Sequence, residues 1–222
     1  MSPVQRFNSI VIALTTLIMY GTWFGIDRVI EINKGTVIIT SILSGFISLG
    51  FYRGIASILS KIFNKSKTMR KFILGNRYLE GTWSGFFIGK DNNVRYICEI
   101  FEQDLENLII RGTSYTFDEK IHGKWIAKNP VIDVADKRIT YYYESDMIKN
   151  TFINPGFASF KFETIDTSSS INKLEGFSSD LYCPNKLIAF EEKMSDKKIT
   201  DHMAILKQAK VIYEKYKDVL PT

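Results

Sequence analysis

Hydrophobic and polar positions change rhythm twice along this chain. From Phe7 to Ile26 there is no charged residue, and "GTVIITSILSGFISLGFY" (35–52) is uncharged again, with apolar character continuing through "GIASILS" to Lys61. As a helix each run is about 27–30 Å long, which matches a hydrocarbon core of roughly 30 Å. A buried helix of a soluble protein seldom runs so far without one charged face, so the pattern predicts two membrane-spanning helices. A cleaved signal peptide fits less well: the first run is long, Arg6 is its lone positive leader residue, and no A-x-A site follows.

From Tyr78 the period drops to two. Strands are expected near 78–88, 93–102, 107–117, 122–129, 137–145, 156–165, 171–181 and 186–194, parted by "GKDNN", "QDLEN", "DEK", "DVADK", "NPG", "DTSSS" and "CPNK". Eight short antiparallel strands in succession predict an up-and-down barrel, because closure removes exposed edges; a β-sandwich is the alternative. The last segment, "ITDHMAILKQAKVIYEKYKDVL", returns to helical spacing. Met203, Leu206, Tyr213, Tyr216 and Leu220 fall toward one side and lysines toward the other, as expected of a helix packed on the barrel. The fold class is a membrane-anchored all-β protein: two N-terminal transmembrane helices, a small eight-stranded antiparallel β-barrel and a C-terminal helix. The expected divisions are a two-helix hairpin (1–63), a basic juxtamembrane linker (64–74), a ligand-binding barrel (75–195) and the terminal helix (196–222).

Charge divides along the same lines. Residues 1–74 carry nine basic and two acidic side chains, residues 75–195 fourteen and eighteen, and residues 196–222 six and four, for nets of +7, −4 and +2. The predicted barrel therefore lacks the basic excess that binding a DNA or RNA polymer requires, and an anionic ligand must be held by a few placed groups. The loop "DRVIEINK" has two basic residues, whereas "KIFNKSKTMRK" after the second helix has five (Lys61, Lys65, Lys67, Arg70, Lys71). The positive-inside rule then puts both termini and the barrel in the cytoplasm, with the lysines at anionic headgroups. In that reducing compartment Cys98 and Cys183 are expected as free thiols in the core.

Gly21 and Gly25 form one GxxxG and Gly50 and Gly54 another, with Gly45 in a Ser/Gly stripe above the second. Small residues let helices approach closely in lipid, so these positions suit association within the hairpin or between chains; Gly and Ser are also simply common in such helices. No catalytic or metal-ligating pattern is apparent. His122 and His202 lack carboxylate or thiol neighbours at useful spacing, and no P-loop, GxGxxG or GxSxG occurs. The pairs Asp118/Glu119 and Glu191/Glu192 are read as solvated strand ends, and Ser168–Ser170 as a polar loop. These absences favour a receptor that needs no cofactor over an enzyme. On the third strand Arg111, Thr113 and Tyr115 share one face and Ile110, Gly112 and Ser114 the other. With Tyr141 and Tyr143 on the fifth strand, and Trp83 and Trp125 elsewhere, they are the candidates for stacking a planar ligand and gripping a phosphate. For each one alone, core filling or solvent exposure explains the residue better than ligand binding does.

Two N-terminal apolar helices, a basic stretch, then "LEGTWSGFF" and "NLIIRGTSYTFDEKIHGKWIAK" resemble the two-transmembrane, β-strand-rich effectors of bacterial CBASS anti-phage systems. The resemblance covers nearly the whole chain and rests on architecture and these two strand segments. It implies a partner CD-NTase that makes a cyclic dinucleotide on infection, and a barrel that binds this messenger. It also implies assembly into a homo-oligomer that disrupts the bacterial inner membrane and kills the infected cell. Gly81-Thr82-Trp83 separately resembles the GxW of lipocalin-like barrels, which implies a lipid or other hydrophobe as ligand.

Overall fold

The computed structural model describes residues 1–27, 37–147, 153–164 and 171–219. It divides into two compact units, Met1–Leu74 and Gly75–Thr222.

The first unit contains α1 (Pro3–Asp27), α2 (Val37–Lys65) and α3 (Lys67–Leu74). The windows Pro3–Phe24 and Gly45–Lys65 are long and apolar enough to cross a membrane. Their hydroxyls turn back onto the helix: Thr15 Oγ1 donates to Val11 O at 2.7 Å and Ser48 Oγ to Gly45 O at 2.8 Å. A hydroxyl in an apolar setting is satisfied in this way without water. Where α1 meets α2 and α3, Phe7, Val11 and Phe63 are buried, and Arg6 donates to the carbonyl of Phe72 at 2.8 Å. The small residues lie elsewhere. A Cβ built on Gly21, Gly45, Gly50 or Gly54 meets no atom within 4 Å among the described residues, so none of the described side chains packs on these four. The surroundings of Gly25 and the loop 28–36 fall outside the described residues.

The second unit is built on strands β1 (Gly81–Ile88), β2 (Val94–Gln103), β3 (Leu108–Tyr115), β4 (Ile121–Lys128), β5 (Val131–Asp133), β6 (Arg138–Met147), β7 (Ile153–Thr164), β8 (Ile171–Asp180) and β9 (Cys183–Ser195). Eight of them close into an antiparallel barrel in the order β4-β3-β2-β1-β9-β8-β7-β6, and β4 pairs with β6 to complete the ring. That closing pair excludes the sandwich. Strand β5, which the alternation does not single out, is a short addition on β6. The expected turns form where polar residues can cap the backbone. Asp104 Oδ1, for example, accepts from the amides of Glu106 and Asn107, and Asp133 Oδ1 from those of Ala135 and Asp136.

The helix α4 (His202–Tyr216) lies over the outer face of β1, β2 and β9. Asp201 caps it, accepting from the amides of Met203 and Ala204. Its buried face is Ile205, Leu206, Ala209 and Ile212, packed on Phe86, Tyr96, Cys98, Tyr115 and Phe190. The expected helix is present, but its inner face is rotated from the expected one. Met203 is exposed, Leu206 is buried, Tyr213 and Tyr216 pack at the margin, and Leu220 lies outside the described residues. Ser84 Oγ donates to Ile205 O at 2.8 Å, and Thr82 Oγ1 donates to Lys197 O at 2.7 Å, so the outward side of β1 also holds the segment leading into the helix. Beneath the helix Cys98 is a free, buried thiol whose pKa desolvation raises to about 12. The Cys183 side chain falls outside the described residues.

Candidate ligand site

One end of the barrel is filled. The chain enters there through Gly75–Arg77, and Leu79, Trp83, Phe101, Leu108, Ile110, Ile139, Phe162 and Leu174 occupy the interior. The Trp83 indole N–H donates to Leu79 O at 2.9 Å, while Gln103 accepts from the Leu79 amide and donates to Arg77 O. Lys193 sits over the Tyr78 ring and pairs with Asp196 at 2.9 Å.

Toward the other end the inward positions become small: Gly85, Gly112, Ser114, Gly123, Ser145, Gly156, Gly176, Ser178 and Ala189. A cavity of about 290 Å³ remains, reaching from the β1–β2 turn at Gly89–Asp91 down to Glu191. It lies near the lower edge of the roughly 300–1,000 Å³ typical of small-molecule sites. Its walls include Phe87, Ile97, Trp125, Tyr141, Tyr143 and Phe160.

Two of the glycines shape the walls by a shared device. Gly112 of β3 is in register with Trp125 of β4 on one side and Glu99 of β2 on the other. The Trp125 indole lies across it, and its Nε1–H donates to Glu99 Oε1 at 2.7 Å. Gly156 of β7 likewise stands between Tyr143 of β6 and Asp180 of β8; the Tyr143 ring crosses it and its hydroxyl donates to Asp180 Oδ1 at 2.9 Å. Any side chain at either glycine would overlap the ring. On each wall, therefore, an aromatic spans a glycine to reach a carboxylate two strands away.

At the floor Glu191 lines the cavity and the Glu99 carboxyl adjoins it just behind the lining; they are 2% and 1% exposed. Desolvation, the largest influence on both, raises their pKa values. Glu191 is raised further by the neighbouring charge of Glu99, whereas the Trp125 N–H favours ionised Glu99. The adjoining pair therefore holds a proton to higher pH than an isolated carboxyl does. Their Oε2 atoms accept no hydrogen bond from any other described residue. Burial also raises Tyr141 well above the ordinary phenol range, so that its hydroxyl stays protonated beside the pair.

The rim carries charge. Arg95, an inward residue of β2, is 12% exposed in its side chain and pairs with Asp91 at 2.6 Å; its Nε is buried with no hydrogen-bond partner among the described residues. The hydrogen bond from Asn93, joined by the Arg95 guanidinium, holds the Asp91 carboxyl well below its ordinary range despite opposing desolvation. Lys90 faces Asp180 at 3.6 Å, and His122 and Lys124 complete the lining from β4.

Of the residues nominated from the sequence, Trp125, Tyr141 and Tyr143 come together on this cavity. Trp83 belongs to the packed end. Arg111, Thr113 and Tyr115 are on the outer wall, because the inward face of β3 is Ile110, Gly112 and Ser114. Arg111 is half exposed and pairs with Glu102 at 3.3 Å; Tyr115 lies under α4, its hydroxyl 3.2 Å from His202 Nδ1. Glu191 is not a solvated strand end but interior, while Glu192 faces out to Lys215 and Tyr216. Asp118/Glu119 do form a turn, with Glu119 bonded to Lys210. Ser168–Ser170 lie outside the described residues. Arg95, Glu99 and Glu191 were missed. The signal that finds them is the mid-strand glycine: strands tolerate glycine where a side chain must cross close to the backbone, so glycines mark the inner face. Among the described residues no group of three or more His, Cys, Asp or Glu is placed to hold a metal ion.

No protein-family model matches the chain, and no curated protein does. Among solved structures it is similar to a de novo designed fluorescence-activating β-barrel, at 11% identity and a TM-score of 0.36, over 54% of this chain and 96% of that one.

Proposed function

We propose that this chain is a membrane-anchored receptor that takes a cyclic dinucleotide into the barrel and responds by self-association of its membrane helices. The observation that carries the reading is the layering of the cavity. A cationic rim at Arg95 stands over aromatic walls at Trp125, Tyr141 and Tyr143, and these over a polar floor at Glu191, with Glu99 adjoining it just behind the lining. A phosphate needs the first layer, a base the other two. A fatty acyl chain would leave the Glu191 Oε2 without a donor in the deepest part of its site, which costs free energy. The cavity is small for a whole dinucleotide, so one base enters and the phosphates remain near Arg95. There the exposed Asp91 carboxylate is the group that a phosphate displaces.

In this reading the lysine-rich segment after α2 faces the cytoplasm of a bacterial inner membrane, and the barrel shares that compartment with a nucleotidyltransferase that supplies the ligand. Ligand promotes assembly only if it binds the assembled state more tightly than the resting one. Assembly then disrupts the membrane and kills an infected cell, the outcome that the resemblance to anti-phage effectors implies.

The test is a titration of the full chain, in nanodiscs, with a panel of cyclic dinucleotides. Saturable binding of at least one member is expected. Arg95→Ala should weaken it by about 1.5–3 kcal/mol, the value of a hydrogen bond to a charged group, and Arg111→Ala should leave it unchanged. Failure of every panel member to bind, with a lipid co-purifying instead, overturns the reading in favour of a hydrophobe-binding barrel.

A further inference from the structure

We infer that the cavity floor is a base-reading subsite, in which the adjoining carboxyls of Glu191 and Glu99 receive the edge of one nucleobase. The inference rests on the cyclic-dinucleotide reading above and extends it to the chemistry that selects the ligand.

Three independent features converge there. Glu191 lines the cavity, is 2% exposed, and its Oε2 meets no donor from any other described residue. Glu99 is fixed by the Trp125 indole, which is fixed in turn by its seat on Gly112. The Glu191 stem lies against Gly85 of β1, with its Cγ 2.8 Å from where a Cβ would stand, so the carboxyl reaches over that strand toward Glu99 on β2. In the resting pair the one proton lies in the hydrogen bond between the two carboxyls; when a base edge enters, that O–H turns to the base and leaves a carboxylate acceptor beside it. Every nucleobase offers the complement, an N–H or amino donor next to a carbonyl or ring-nitrogen acceptor, and Trp125, Tyr141 and Tyr143 supply flat surfaces for its faces. Doubly ionised, the pair would offer acceptors alone and would repel the ligand phosphates.

Few charges compete for that proton. Tyr141 from β6 faces the pair as a neutral phenol. Near the pair, β1 contributes Trp83 and Gly85, β3 Gly112, and β8 Leu174 and Gly176, none of which titrates. Further along their strands, Lys193 of β9 is engaged by Asp196, Arg95 of β2 by Asp91, and Asp180 of β8 by Tyr143. The pair thus keeps its proton on binding, and affinity depends on that proton being present.

The experiment follows the panel titration with a pH series on the full chain in nanodiscs, using whichever cyclic dinucleotide binds. Wild-type affinity should hold at low pH and then fall by up to tenfold per unit once the pair loses its proton. Glu191→Gln, which keeps a donor beside an acceptor, should bind within about threefold of wild type and lose that dependence; Glu191→Leu should bind at least about tenfold more weakly, the loss of a hydrogen-bonded partner. A wild-type pH profile that is flat, or one that Glu191→Gln reproduces, overturns the subsite while leaving the receptor intact. If no cyclic dinucleotide binds at all, both readings fall. The wild-type profile requires no substitution, so a Glu191→Leu chain that does not fold leaves the test standing.

Discussion

At the scale of single residues, the interior of this barrel is organised by where side chains are missing. Gly112 and Gly156 open the gaps that Trp125 and Tyr143 fill, and those rings carry the first hydrogen bonds to Glu99 and Asp180. Two carboxyls buried side by side are unfavourable, and the protein lowers that cost by retaining a proton. The sign of the pH effect follows. Below about pH 4.5 folded and unfolded chains are both protonated at these positions, and the neutral pair contributes its full stability. As the pH climbs toward the raised folded values, the unfolded chain ionises first, and stability falls by about 1.4 kcal/mol per unit for each proton the fold retains. Glu191→Gln should therefore melt above wild type at pH 8 and converge with it toward pH 4.5. Superimposable melting curves across that range would mean that the pair is solvated and carries no such penalty.

At the scale of elements, α4 acts as an outer wall for the strands that carry the floor. Glu99 and Glu191 stand on β2 and β9, and the outward neighbours of these glutamates, Cys98 and Phe190, are the residues the helix covers. Packing outside the barrel thus holds in place the backbone that aims the carboxyls inside. Ile205, on the inner face of α4, is fully buried, and Ile205→Ala should cost about 2–5 kcal/mol, as removal of a large buried side chain does. Chemical denaturation of the full chain measures it. A loss under about 1 kcal/mol would mean that the helix is loosely docked and does not support the site.

At the scale of the whole molecule, the proposed function divides the work between the two units, sensing in Gly75–Thr222 and membrane action in Met1–Leu74. The glycine positions of α1 and α2 that are described have open space above them, so they remain available to a second copy in lipid. Replacing both Gly50 and Gly54 by Leu should leave cyclic-dinucleotide binding unchanged and reduce ligand-dependent toxicity in cells. Undiminished toxicity from a variant that still reaches the membrane would show that these positions form no interface.

Which parts of this were readable from the amino-acid order has a physical basis. The two apolar helices and eight strands are visible because each depends on local periodicity and on turn residues such as Asp104 and Asp133 that cap their own neighbourhoods. The terminal helix was equally visible, though its buried face was set by the outer wall it meets rather than by its own hydrophobic spacing. Alternation also separated the two faces of β3, but alternation is symmetric: it cannot say which face turns inward. Ring closure between β4 and β6 decided that, sending Arg111 to the solvent side and Gly112 to the interior. The meeting of Glu99 with Glu191 lay beyond local reading altogether, since they are far apart in sequence and only the β1–β9 and β1–β2 pairings bring their strands together. Periodicity is a property of a segment, and so the chain itself determined the elements. Inside and outside, and with them the composition of the site, are properties of closure, which only the tertiary structure supplies.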